Sequence, residues 1–280
     1  MPEFPQSVAL AGLWRWMSHT GSTNEDLSVL ARSGDSTSAP DFTVVATDDQ
    51  RSGRGRHGRE WVNHAGGSLA ASVLIRPTTP SGRPLAAASW GWYPLLAGLA
   101  MTRALGGLLP RSQDARLKWP NDVLIETPDG THKVCGILCE LVTDSAGATA
   151  VIVGSGVNLT LTREELLVDT AISLQLAGAR ATDIDTVLSI YLAELRRVTR
   201  VFEAAEGDVV SSGLLREVAR ECDTLGRRVK VDLPDGTEVM GIAEEIDRDG
   251  QLVVILDSPA DRVGERFSVS AGDVTHVRVL

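Results

Sequence analysis

Cysteine is scarce in this chain, with three in 280 residues. Cys135 and Cys139 stand four apart in a strand-like segment, so they share a face with α-carbons roughly 13 Å apart. That exceeds the disulfide reach of about 7 Å, and Cys222 is isolated. A disulfide framework is excluded, and reduced thiols in a cytoplasmic setting are expected. No basic segment followed by an apolar core is present near Met1, so no secretory signal is read. Long apolar runs are missing too. The nearest, Pro84 to Thr102, is 19 residues without a charge, close to the length of a membrane span. It is built from Ala, Gly and Ser, carries Pro94, and has Trp90, Trp92 and Tyr93 in its middle, which fits a buried helix of a soluble core better. Aromatic residues are only 4% of the chain, and 27 Lys and Arg stand against 37 Asp and Glu, for a net charge of −10. With no aromatic interleaved among the cations, this argues against a general nucleic-acid binder while leaving local nucleotide binding open.

What is present suits one large domain and one small one. The 43% apolar and 23% charged fractions are those of an ordinary globular protein. Leu27, Leu30 and Ala31 give a helix from Thr23 to about Arg32, capped by Ser22 or Thr23 and stopped at Gly34. Strands are predicted at Phe42–Thr47 and Ser68–Ile75. Leu85–Leu105 reads as a core helix or a broken pair, with Gly91 and Pro94 as the break. Further strands follow at Arg116–Trp119, Val123–Glu126, Val134–Val142 and Ala148–Val153. Residues 184–202 repeat Ile, Val, Leu, Tyr and Phe at helical spacing behind a Thr182 or Asp183 cap, and a short helix is predicted from Ser212 to Cys222. Past Gly226 the pattern turns to short strands: Val229–Leu233, Val239–Ala243, Leu252–Leu256, Phe267–Val269 and Val274–Leu280. The change of pattern divides the chain into residues 1–223 and a small β-barrel, 224–280. The expected class is α+β, with a mixed or antiparallel sheet flanked by helices.

The most informative segment is Gly53-Arg54-Gly55-Arg56-His57-Gly58-Arg59. Three glycines allow close backbone approach to a ligand, and the arginines bring fork-shaped donors for carboxylate or phosphate. With Arg51 there are four Arg in nine residues and no acid among them. Alone, this segment also fits a solvated turn or a nucleic-acid contact. Its company narrows the choice: Thr20-Gly21-Ser22-Thr23-Asn24 upstream, then Lys118-Trp119-Pro120-Asn121-Asp122, Lys133-Val134-Cys135-Gly136-Ile137-Leu138-Cys139-Glu140, and Gly154-Ser155-Gly156-Val157-Asn158.

These five blocks, in this order, resemble the biotin protein ligases. The resemblance implies a class II synthetase-like catalytic domain, an SH3-like β-barrel behind it, and two half-reactions. Biotin and ATP give biotinyl-5′-adenylate and pyrophosphate; the adenylate then acylates a lysine of a biotin carboxyl carrier domain of acyl-CoA carboxylases. By motif position, Ser22, Thr23, Asn24 and Gln50 hold the biotin ring. Gly53, Arg54, Gly55 and Arg56 hold its carboxylate and later the adenylate phosphate, and Gly136, Gly154 and Gly156 admit the ligand against the strands. Lys133, Arg54 and Arg56 are the catalytic candidates. Arg56, Arg59, Lys118, Asn121, Asn158 and Trp61 fall to ATP, and Asp122 to Mg²⁺. The chemistry is consistent with these residue types: a carboxylate must attack an α-phosphate, so cations have to offset the repulsion of two anions.

Each residue also has a plainer reading. Ser22 and Thr23 can be a helix cap, Gly154-x-Gly156 a turn, and Trp119 and Pro120 packing beneath the site. His57 stands where some relatives have arginine and is read as an adaptable phosphate contact. The blocks start about twenty residues from Met1, too near for the helix-turn-helix repressor domain of some relatives. A monofunctional ligase, without DNA regulation and either monomeric or weakly dimeric, is therefore expected. The rival reading is a lipoate-attaching enzyme of the same fold.

Overall fold

The computed structural model describes residues 3–33, 37–61, 64–111 and 114–277. Helix α1 (Pro5–Leu10) leads into β1 (Leu13–Trp16), α2 (Thr23–Ser33) and β2 (Thr43–Thr47). The arginine-rich segment forms a minimal hairpin, β3 (Gly53–Arg54) against β4 (Glu60–Trp61), before β5 (Ser68–Ile75). The uncharged stretch becomes a 3-10 turn, Ala87–Trp92, running into α3 (Tyr93–Gly106). Pro94 sits in the first turn of α3, where its missing N–H leaves no bond unmade. Nearly all of α3 is buried, and among the described residues no helix is long and apolar enough to cross a membrane.

Strands β6 (Ala115–Lys118), β7 (Asp122–Thr127), β8 (Gly130–Thr143) and β9 (Thr149–Asn158) then complete a seven-stranded sheet of order β1-β2-β5-β9-β8-β7-β6. Only the β1–β2 pair is parallel. Every residue of β5 is buried, because helices cover both faces. On one face α2 packs with Leu27 and Ala31 on Val45, Leu74 and Ile152. On the other lie α3 and α4 (Ile184–Ala204), where Tyr93 meets Phe202 edge-on at 5.8 Å; α5 (Leu214–Glu221) follows. Asp183 caps α4, accepting from the Thr186 amide at 2.9 Å.

The sequence pattern ended β9 at Val153, yet the strand runs on to Asn158. Pairing on both sides, with β5 and β8, overrides the weak strand preference of its glycines. Helix α1 and strand β1 were not read from the sequence at all. Gly34, expected to stop α2, lies outside the described residues.

Five antiparallel strands form the second sheet, in the order β13-β12-β11-β10-β14: β10 (Arg228–Asp232), β11 (Glu238–Ile246), β12 (Leu252–Ser258), β13 (Arg266–Val269) and β14 (Asp273–His276). β14 stops at His276, and residues 278–280 of its expected span lie outside the described residues. The two sheets are joined by hydrogen bonds. Trp92 and Trp119 donate their indole N–H to the carbonyls of Arg248 and Gly250, at 2.7 and 2.9 Å. Gly250 supplies the positive φ (+80°) of that turn. The Trp119 amide donates to Thr224 Oγ1 at 3.0 Å, and Thr224 Oγ1 lies 3.2 Å from His276 Nε2.

Burial, with Lys118 nearby, holds the His276 imidazole down to about 4, while Asp223 opposes the shift. In the unfolded chain the ring titrates near its ordinary value of about 6.5, so on acidification the unfolded state takes up the proton first. His276 therefore contributes stability above about 6.5 that is lost as pH falls toward about 4. Melting temperature is expected to drop across that window, and to drop less in His276→Gln; equal slopes would remove His276 from the acid response.

Candidate functional site

Strand alternation places Gly154 and Gly156 on the face covered by the start of α2, and Ser155 on the other, where its hydroxyl meets Tyr191 Oη at 2.9 Å. The register lines up Ala70, Gly156 and Gly136 across β5, β9 and β8. This row of small residues is a floor of nearly bare backbone. A Cβ at Gly154 would strike the Asn24 amide, and one at Gly156 the indole of Trp61. At Gly136 it would meet the Trp61 ring at 3.1 Å and Lys133 Nζ at 3.2 Å.

At the first turn of α2 a chain of buried polar groups closes one end of the floor. Thr23 N–H donates to Gln50 Oε1 at 3.0 Å. Ser72 Oγ lies 2.7 Å from Thr23 Oγ1 and 2.6 Å from Asn24 Oδ1. Asn24 Nδ2 donates to Glu140 Oε2 at 2.6 Å and to the Leu138 carbonyl at 3.3 Å. The Thr23 hydroxyl is thus engaged with Ser72, and Gln50 Oε1 lies 3.2 Å from it. Ser22 lines the same pocket.

The other end is charged. Lys133 Nζ lies 2.7 Å from Asp122 Oδ1 and 5.6 Å from the Trp61 ring centroid. The Lys133–Asp122 contact is an ion pair lying off the hydrogen-bonding direction, since Oδ1 otherwise has no hydrogen-bond partner. Asp122 also pairs in register with Lys118 of β6. Burial lowers the Lys118 pKa, with Asp122 opposing the shift and Lys133 reinforcing it.

The hairpin hangs over this end, its Gly55 amide donating to the Arg59 carbonyl at 2.6 Å. Arg54 reaches Glu25 at 2.8 Å, and Arg59 reaches Asp273 of β14. Arg56 donates to Asn121 Oδ1 at 3.3 Å. Burial lowers the Arg56 pKa, with Asp273 and Asp122 opposing; the guanidinium remains charged. Asn121 is fixed in turn by its Nδ2 bond to the Ile137 carbonyl, at 2.6 Å.

Two cavities share the hairpin as a wall. One of about 150 Å³ covers the glycine floor, between Thr23, Gln50, Lys133 and Trp61. The other, about 1340 Å³, lies between the hairpin, Trp119, Asn121 and the Asp249–Gln251 turn of the second sheet. Together they gather Ser22, Thr23, Asn24, Gln50, Gly53, Arg54, Gly55, Arg56, Arg59, Trp61, Asn121, Asp122, Lys133, Gly136, Gly154 and Gly156. Lys118 and Asn158 line neither. Asn158 is buried, and its Nδ2 donates to the Ile172 carbonyl at 3.2 Å. The side chain of His57 is outside the described residues.

Three residues at the site had no role in the sequence reading. Ser72 sits in a largely apolar strand, where a buried hydroxyl is the only signal. Glu140 closes the Lys133 block but drew no assignment. Asp273 comes from β14 of the second sheet and no local pattern marks it. Among the described residues no group of three or more His, Cys, Asp or Glu is placed to hold a metal; at the charged end the carboxylate is that of Asp122, paired with Lys133.

Residues 18–158 match the Biotin/lipoate A/B protein ligase family, and residues 224–277 match the Biotin protein ligase C terminal domain. The chain is 35% identical over 277 residues to the biotin–acetyl-CoA-carboxylase ligase of Mycobacterium tuberculosis, covering 98% of this chain and 93% of that one. It is 34% identical over 251 residues to the corresponding ligase of Paracoccus denitrificans, covering 88% and 95%. A biotin protein ligase from Aquifex aeolicus, solved with biotin and ATP, superposes with a TM-score of 0.71 at 23% identity, over 96% of this chain and all of that one, a likeness of fold. The chain belongs to the biotin protein ligase family.

Proposed function

We propose that this protein activates biotin with ATP and transfers it to a lysine of the carrier domain of an acyl-CoA carboxylase in the cytoplasm, acting as a monomer or weak homodimer and without binding nucleic acid. The observation that carries the reading is the glycine floor with a hydrogen-bonding end at Thr23 and Gln50 and a cationic end at Lys133 and Arg56. Biotin has the same polarity, a ureido ring at one end and a carboxylate at the other. Lipoate carries its carboxylate on an aliphatic chain whose other end is a dithiolane ring that makes no strong hydrogen bonds, and so would leave the buried polar end unpaired.

In the first step a biotin carboxylate oxygen attacks the α-phosphorus of ATP, and the bond to pyrophosphate breaks. Lys133 and Arg56 draw the two anions together and offset the charge that grows on the phosphoryl oxygens. Arg54 assists with the carboxylate and Arg59 with the polyphosphate, Lys118 adds positive charge from behind Asp122 without lining either cavity, and the larger cleft takes the nucleoside. Asp122, the carboxylate at the charged end, would hold a Mg²⁺ ion bound with the phosphates, which would supply charge neutralisation there. In the second step the carrier amine attacks the acyl carbon and AMP leaves. Trp61, which lines both cavities, serves the nucleotide side and helps exclude water from the mixed anhydride.

ATP–pyrophosphate exchange with Mg²⁺ is expected to require biotin. Exchange supported by lipoate alone would replace the substrate, and none with either would remove the activity. Lys133→Ala is expected to slow adenylation by about 10²–10³, as for loss of one oxyanion donor; a near-normal rate takes Lys133 out of the chemistry. Because Arg56 is tied to Asn121 in the loop wall, Arg56→Gly is expected to release the adenylate faster and to biotinylate bystander lysines. Unchanged adenylate dissociation would refute that role.

A further inference from the structure

We infer that Glu140 is a positioning residue for biotin recognition: through Asn24 and Ser72 it fixes the Thr23 hydroxyl as a hydrogen-bond acceptor toward the ureido ring. The inference rests on the small pocket being the ureido site.

The argument is a count of protons. Asn24 Nδ2 lies 2.6 Å from the Glu140 carboxylate and 3.3 Å from the Leu138 carbonyl. Both oxygens only accept, so the amide has one orientation, with Oδ1 toward Ser72. An amide oxygen has no proton to give, so Ser72 Oγ, 2.6 Å away, donates to it. A hydroxyl has a single proton, and the 2.7 Å contact between Ser72 Oγ and Thr23 Oγ1 is therefore donated by Thr23. Thr23 then has none left for Gln50 Oε1 at 3.2 Å, which instead accepts the Thr23 backbone N–H at 3.0 Å. That bond orients the Gln50 amide as well, with Nε2 as its donor.

The pocket consequently offers an acceptor, Thr23 Oγ1, beside a donor, Gln50 Nε2. This is the complement of a cyclic urea, whose N–H groups adjoin its C=O. Ser72 is fully buried and Thr23 is 3% exposed, so bulk water cannot reset the chain. Without the carboxylate, Asn24 is held only by the longer bond to Leu138 and its amide can turn over. Ser72 would then accept from Asn24 and donate to Thr23, and the Thr23 proton would oppose a ureido N–H.

The test is ATP–pyrophosphate exchange with biotin and with two cyclic carbamates, each carrying oxygen in place of one ureido N–H. Glu140→Leu is expected to raise the KM for biotin by about 5- to 150-fold, the effect of leaving a buried polar partner unpaired. It is expected to leave the KM for ATP unchanged and to shrink the preference for biotin over the carbamate lacking the N–H that faces Thr23. Glu140→Gln, which keeps an acceptor oxygen, is expected to recover most of the affinity. Ser72→Ala breaks the same chain one step on, so its effect should not multiply with that of Glu140→Leu. A wild-type KM for biotin in Glu140→Leu, equal losses for biotin and both carbamates, or multiplying effects would overturn the inference. If Glu140→Leu does not fold, Ser72→Ala with undiminished preference overturns it. A wild-type protein with no biotin-dependent exchange overturns the function reading and the inference together, an outcome distinct from an active enzyme indifferent to Glu140.

Discussion

Gly136 opposite Gly156, with Ala70 beside them, is the constraint on which the rest of the site depends. In a sheet covered by helices on both faces, side chains ordinarily fill the space above every strand. Here the glycines of β8 and β9 let the Trp61 indole and the Asn24 amide come directly onto the backbone, and the other polar and charged side chains stand around the margin. Glycine in a strand interior weakens it by roughly 0.5–1 kcal/mol relative to alanine. The central strands offset that loss: β5 is wholly buried, and Ser155, between the two glycines of β9, is tied to Tyr191 from the opposite face. The floor is thus held from behind by the same strand that carries two of its glycines in front.

The charged end follows a different rule. Arg54 and Arg59 face Glu25 and Asp273, and Lys133 faces Asp122. The two arginines are exposed, and exposed pairs contribute only about 0–1 kcal/mol each. Such pairs hold the cations near the cleft yet yield to a polyphosphate, whose oxygens accept charge-assisted bidentate bonds of greater strength. The hairpin itself pairs only two residues on each side. Its weak internal pairing suits a loop that must exchange carboxylate partners for phosphate ones.

Local runs carried most of what was legible in the sequence. Alternation and helical spacing marked the central strands, α2 and α4, and the five short strands beyond Gly226. The arginine-rich segment and the Lys133 block pointed to cations around an anion. What stayed hidden depends on contacts between distant segments. Ser72 comes near Thr23 only when α2 lies across β5, and Asp273 reaches Arg59 only through the second sheet. Asn158, a ligand residue by its motif, is buried and bonds through Nδ2 to the Ile172 carbonyl, a contact no local pattern marks. The extension of β9 past Val153 was invisible for the same reason, since pairing partners on both sides decide it.

The Lys118–Asp122 run shows how closely site and scaffold are merged. Lys118, Asn121 and Asp122 belong to the charged end, while Trp119 between them is buried and bonds to Thr224 and Gly250 of the joint with the second sheet. That sheet in turn lines the larger cleft with Asp249, Gly250 and Gln251 and gives Asp273 to the hairpin. A displacement of the joint would move Asn121 and Asp122 on one side and the cleft wall on the other. The second sheet is therefore part of the geometry that brings carboxylate and phosphate together, and its Asp273 also lines the small pocket over the glycine floor.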